Sequence, residues 1–382
     1  MDALPAAAAR SAAERCTFGP WLWSPRRDLA VFGGSAAFAL ALIALGHVFG
    51  FAGGALPEWA FFAFVLGVDV AHVHATLFRT YFDAAELRAR PLRYALVPLL
   101  GYALGVALHA QGSLVFWRAL AYLALFHFVR QEVGWLRLYR ARAAERSKLD
   151  ARLDDAALYA VTLYPVLYWH VHLTERHFSW FVPGDFVALP SFAAGALPVF
   201  RLLAVATLFA FLARQFMWLA QGVVRLGPLL IVLKTALVWY VGIVLTNSDF
   251  DFTVSNVLVH GAPYFLLLWG YGHARAELSP KGFGSRIIVA GVSAFAGVLL
   301  LLAFAEELLW DRWVWHDHSS VFGKGAELGP HILTFLVPLL AVPQVSHYVL
   351  DGLLWRRTET ARLPAQRRAL GFGRPTARAE VG

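Results

Sequence analysis

Three short runs place ionisable side chains inside otherwise apolar sequence: Asp69-Val-Ala-His72-Val-His74, His127-Phe-Val-Arg130-Gln131-Glu132 and His347-Tyr-Val-Leu-Asp351. Imidazole and carboxylate groups at such spacings can ligate a metal ion, hold one another in a fixed tautomer, or exchange protons. A titratable group costs free energy in hydrocarbon, so one that is retained there points to a function. The chemistry these runs suggest is therefore that of a membrane-embedded site, and first of all a metal site.

The elements that must position them follow from composition. Of 382 residues 59% are hydrophobic and 15% charged, and the mean hydropathy is +0.58. A soluble globule of this size needs more polar surface. The apolar residues fall into ten runs, each near the ~20 residues that cross a bilayer core: 29–53, 57–82, 91–111, 113–138, 155–172, 194–222, 228–247, 252–273, 285–309 and 331–355. Backbone amides in lipid must be satisfied within the segment, so these runs predict helices; barrel strands would be half as long and would alternate. The expected fold class is all-α, a polytopic helix bundle. Pro165, Pro263, Pro338 and Pro343 lie inside spans and predict kinks.

Basic residues test the span count, because Lys and Arg collect in cytoplasmic loops. They concentrate before the first span (Arg26, Arg27), after the second (Arg88, Arg90), fourth (Arg140, Arg142), sixth (Arg214, Arg225) and eighth (Arg275, Lys281), and after the last (Arg356, Arg357), while the alternate loops are nearly bare. This predicts both termini in the cytoplasm, with a tail at 1–28, a transmembrane domain at 29–355 and a basic tail at 356–382. The net charge of +8 then reads as a topology signal with some attraction to anionic membrane lipids, and no nucleic-acid partner is expected. Cys16 is the only cysteine, which excludes an internal disulfide and any thiolate-held metal or iron–sulfur cluster. Residues 1–20 lack the apolar core of a cleavable signal peptide, so the first span is expected to be an uncleaved anchor. Heavy use of Ala, Leu and Arg suggests a GC-rich bacterium and its inner membrane.

On this topology spans two, four, eight and ten run in one direction. At about 1.5 Å per residue, His72, His127 and His347 fall near one level, roughly 21 to 24 Å along their helices, with His260 closer to the midplane. Each of the four spans carries a polar stripe at helical spacing: Asp69, His72, Thr76 and Arg79; His127, Arg130 and Gln131; Asn256, His260 and Tyr264; Gln344, His347, Tyr348 and Asp351. The stripes are expected to converge on an interior cavity, opening towards the cytoplasmic half. There His72, His127 and His347 would bind a metal, with Asp69 and Asp351 as ligands or orienters and His260 as a further ligand. Nitrogen and oxygen donors without sulfur suit iron, zinc or manganese. Iron is favoured, because unactivated C–H or C=C bonds of a lipid-soluble substrate require oxygen chemistry that zinc does not perform. Arg130 and Gln131 would stand beside the metal, holding an anionic headgroup or the reacting oxygen, with Tyr348 a third catalytic candidate. Haem is a poor fit, since His260 and His273 share one helix on different faces. The HxxHH, HExxH and Walker A signatures are absent.

Other polar residues have simpler readings. His74 points away from His72 and is expected to pack on a neighbouring span; Lys234, near a span end, is expected to snorkel to the interface. His47 and His109 are expected at the interface. His170, His172, His177, His316, His318 and His331 gather on the outer side, as ordinary surface histidines or a second metal group.

Arg79-Thr-Tyr-Phe-Asp, the run from His127 to Trp135, and His347-Tyr-Val-Leu-Asp351-Gly-Leu-Leu-Trp355 resemble motifs of a group of uncharacterised, histidine-rich polytopic bacterial membrane proteins. That resemblance covers most of the chain and implies no activity. An Asp/His pair in one helix and a Phe-His-Phe in another are also similar to the Brp/Blh-type carotene dioxygenases, which implies iron and an isoprenoid or acyl-chain substrate. The expectation is thus a membrane-embedded metal-dependent oxidoreductase acting on a lipid or isoprenoid. The alternative is a proton-coupled transporter whose relay uses the same His, Asp and Arg side chains, although the halves of the chain show no internal repeat.

Overall fold

The computed structural model describes residues 17–143 and 147–355. Residues 1–16 of the expected N-terminal tail, with Cys16, and the whole expected C-terminal tail, 356–382, lie outside the described residues. Ten long helices dominate: α1 (Pro25–Phe49), α2 (Glu58–Arg79), α3 (Pro91–His109), α4 (Ser113–Arg142), α5 (Lys148–Val171), α6 (Phe192–Ala220), α7 (Leu226–Leu245), α8 (Asp249–Leu278), α9 (Val292–Trp315) and α10 (Pro330–Leu354). The only strand pairing among the described residues is a two-residue parallel contact of Thr17–Phe18 with Val223–Val224. The chain is an all-α polytopic helix bundle.

Among the described residues nine helices are long and apolar enough to cross a membrane. The exception is α5, the fifth of the ten expected spans. It has 24 residues, which is long enough, but Asp150, Arg152, Asp154 and Asp155 crowd its first turns. Those carboxylates are neutralised by neighbours: Arg214 Nε lies 2.7 Å from Asp150 Oδ1, Arg225 Nη2 2.7 Å from Asp154 Oδ2, and Arg140 Nη2 2.8 Å from Asp155 Oδ1. Hydropathy sees only the charges, whereas the fold sees the pairs.

Helix α8 is the axis of the bundle. In its most apolar window 78% of residues are buried, against 6% for α6 and 11% for α3, whose outer faces of Leu, Val and Phe are suited to lipid. Helices α1, α2 and α7 pack on α8, α10 packs on α2, α3 and α4, and α9 packs on α2 and α10. Close approach of α2 and α8 depends on Gly261, where a Cβ would stand 2.6 Å from Val68 Cγ1. Two departures from α-helical geometry matter for the site. Residues Phe61–Val70 of α2 are π-helical and Thr76–Arg79 form a 3-10 turn, so beyond the opening Glu58–Ala60 only Ala71–Ala75, the stretch carrying His72 and His74, is regular α-helix. Such mid-helix π segments are frequent at functional positions. In α10 the regular helix breaks at Ala341, between Pro338 and Pro343, because each proline removes an amide donor and crowds the preceding turn. Pro165 and Pro263, by contrast, lie within unbroken helices.

Candidate metal centre

His72 of α2, His127 of α4, His260 of α8 and His347 of α10 converge. Each offers one ring nitrogen, and these four atoms all lie within 4.8 Å of one another. The residues are buried, between 1% and 5% exposed. Metal–nitrogen bonds of about 2.0–2.1 Å place ligand atoms roughly 3 to 4.2 Å apart, so this spacing suits one shared ion after small adjustments. Among the described residues it is the one group of three or more His, Cys, Asp or Glu side chains with such geometry.

Each ring is oriented by its surroundings. His347 Nδ1 lies 2.6 Å from Thr76 Oγ1, which is 2.9 Å from the Tyr264 hydroxyl; Tyr264 in turn hydrogen-bonds Asp351, and Trp355 Nε1 donates to Asp351 Oδ1 at 2.5 Å. This chain leaves His347 Nε2 for the centre, where it has no hydrogen-bond partner. His127 Nε2 is likewise buried and unpartnered. The His260 ring stacks flat on Phe128, with centroids 3.7 Å apart at 4°. One residue from Gly261 and three from Pro263, the His260 carbonyl accepts from Gln131 Nε2 at 3.1 Å. His72 Nε2 lies 3.1 Å from His260 Nε2, so without an ion one of the two must carry the proton. For both to ligate, that proton must sit on Nδ1; in His72, Nδ1 faces Asp69 Oδ1 at 3.6 Å. Buried imidazole nitrogens aimed at a common point without hydrogens to share are costly unless something occupies that point.

The structure brings together the four histidines named from the sequence but separates the other site residues. Asp69 stands behind His72. Asp351 is three hydrogen bonds removed from His347, an orienter at a distance and not a ligand. Tyr348 is beside the centre, its ring centroid 4.9 Å from that of His127. Gln131 braces α8, with its Oε1 buried and unpartnered. Arg130 turns elsewhere: Nη1 donates to the Tyr159 hydroxyl of α5 at 2.7 Å, a helix that supplies no histidine to the centre, which corrects the expectation that it stands beside the metal.

One further expectation is corrected. Lys234 does not snorkel; it is 5% exposed and its Nζ lies 2.5 Å from Glu132 Oε1, with Thr235 donating to Glu132 Oε2 at 3.3 Å. His74 packs on a neighbouring span as expected, its Nε2 standing 2.9 Å from Glu306 Oε2. The outer-side histidines go their own ways: His170 to Tyr122 and the Val166 carbonyl, His172 to the Tyr168 carbonyl, His318 stacked on Phe61. Glu306 and Glu307 of α9 are absent from the expected site, although two adjacent carboxylates in an apolar span are signal enough to find them.

The geometry defines a multi-pass helix bundle with a buried four-histidine centre. No protein family, curated protein or solved structure matches the chain. What the centre can do is accordingly read from its own atoms.

Proposed function

We propose that this protein is a membrane-embedded metalloenzyme whose ion is held by His72, His127, His260 and His347, and that it oxidises a lipid or isoprenoid. The observation that carries this reading is the meeting of four imidazole nitrogens, from four separate helices, within 4.8 Å of one another. A proton relay would need such groups in a file, each touching the next, whereas here they share a point. All-nitrogen donors suit iron, zinc or manganese, and iron is the choice that fits a substrate dissolved in the bilayer. Bound iron would supply the oxygen-dependent redox chemistry that C–H or C=C bonds of such substrates demand.

The chain's own residues orient and enclose. Thr76 and Tyr264 fix His347, Phe128 fixes the plane of His260, and Asp69 favours the His72 tautomer that leaves Nε2 free. Tyr348 and Gln131 are the polar side chains beside the centre and would position the reacting part of the substrate. Placement in a bacterial inner membrane, with both termini cytoplasmic, belongs to the same proposal and is supported by the alternation of basic loops in the sequence.

Metal analysis of detergent-purified protein tests the reading. Wild type is expected to carry about one transition-metal ion per chain, and His127→Ala and His347→Ala to lose it. Wild type with only trace metal after purification and reloading overturns the proposal.

A further inference from the structure

A second polar group adjoins the centre. Glu306 and Glu307 of α9 are both 7% exposed and Asp311, at the last turn of that helix, is 1% exposed. Glu307 interacts electrostatically with Glu306, Asp69 and Asp311, and Tyr348 with Asp69 and Glu306. Glu306 meets His74 at 2.9 Å and accepts from Gln344 Nε2, also at 2.9 Å. Asp311 lies under the loop that follows α9, its Oδ1 accepting from the His318 amide at 2.7 Å. The group thus runs from a bundle end, through one helical turn of α9, to Asp69 and so to His72.

Other buried carboxylates either have a Lys or Arg partner, as Glu132 has Lys234, Asp154 has Arg225 and Glu86 has Arg79, or are held by several amide, hydroxyl or indole donors, as Asp28, Asp185 and Asp351 are. Along the Asp311-to-Asp69 file the basic partners among the described residues are two imidazoles, His74 at Glu306 and His72 at Asp69, with no Lys or Arg. Four carboxylates sharing two imidazoles in a low-dielectric interior attract cations. Two observations point to where the cation goes. His72, 1% exposed, leaves Nδ1 unpartnered and facing Asp69, and the Asp69 side chain keeps 36% of its surface accessible although it stands in mid-span. An ionisable side chain in mid-span faces the bundle interior or water rather than lipid.

We infer that this carboxylate file is the loading path by which a divalent cation reaches the four-histidine centre from the α9 C-terminal end of the bundle. It rests on the metal-centre reading above and adds a route and a rate to it. The carboxylates raise the local cation concentration and hand the ion inward, with His72 the first ligand met behind Asp69; the histidines alone hold it at equilibrium.

The experiment is stopped-flow loading of chelator-stripped protein in detergent with Co2+, whose d–d absorption reports histidine coordination. Glu307→Gln and the Glu306→Gln/Glu307→Gln pair are expected to slow loading by about tenfold or more for the pair, within the range known for electrostatic focusing. Occupancy at saturating Co2+ should remain one per chain. Raising the salt should slow wild-type loading and affect the pair less, because screening acts on the same charges. Loading within twofold of wild type in both variants overturns the inference. So does a normal loading rate with faster loss of the ion, which would make the carboxylates a compensating charge only. Should the pair fail to fold, Glu307→Gln and the wild-type salt dependence decide, and a salt-independent wild-type rate overturns the path. Wild type that never takes up Co2+ refutes the metal centre itself, a result distinct from all of these.

Discussion

The His347 support chain offers the sharpest test of the centre, because one methyl-for-hydroxyl exchange breaks it without changing volume. Thr76→Val removes the oxygen that lies 2.6 Å from His347 Nδ1 and 2.9 Å from the Tyr264 hydroxyl. Tyr264 keeps Asp351 as a partner, so the principal loss falls on His347, whose Nδ1 becomes a buried, unpaired polar atom. That costs about 1–3 kcal/mol of fold stability. It also frees the ring to rotate and to place its proton on Nε2, the atom aimed at the centre. Removal of a group that orients a metal-ligating histidine weakens metal binding roughly 10- to 100-fold, equivalent to about 1.4–2.8 kcal/mol. The assay is competitive titration of Co2+ or Zn2+ against a chelator of known affinity, with Thr76→Ser as the variant that keeps the hydroxyl. Affinity within twofold of wild type for Thr76→Val, in folded protein, would refute the claim that this chain presents His347 to an ion.

Three other outcomes follow from the packing. Gly261→Ala should weaken metal binding more than its size suggests, since the new Cβ would meet Val68 and spread α2 from α8 at the level where His72 faces His260; the same titration checks it. Lys234→Met should lower detergent-state thermal stability strongly, by an amount on the order of 3–5 kcal/mol, because it strands Glu132 in the interior. Pairing it with Glu132→Leu should recover most of the loss. Arg130→Lys should leave metal stoichiometry unchanged, since the guanidinium serves Tyr159 and not the centre; loss of metal in this variant, measured by elemental analysis, would contradict the geometry.

Much of the fold was legible because a bilayer imposes simple rules. Length and apolarity give all ten long helices, including α5 from the run 155–172; α5 falls short of the apolarity of the other nine through charged first turns whose Asp150, Asp154 and Asp155 each have an Arg partner outside that helix. The prolines 338 and 343 foretold the break in α10; Pro165 and Pro263 foretold kinks where the helices run on. At the site, the four histidines were legible by type and depth. A cationic or metal-ligating group in mid-span is rare enough to stand out, and helices running in one direction put equal sequence offsets at equal heights.

What escaped was direction around the helix axis. A polar stripe counted at 3.6 residues per turn holds on a regular α-helix, and α2 departs from that in opposite senses, π-helical before His72 and 3-10 from Thr76. Asp69 therefore ends behind His72, not beside it. Arg130 and His127 are three residues apart on a regular helix, yet a long guanidinium follows its best acceptor, and Tyr159 of α5 supplies one. The same reach explains Lys234: eight residues from the start of α7 it could have reached the interface, but Glu132 lay closer, and in a medium of low dielectric a buried partner outcompetes a distant solvent boundary. Depth in the membrane is a property of one helix and can be counted along it. Partnership belongs to two helices, and for Arg130, Lys234 and Glu306 it is the partner that determines the role.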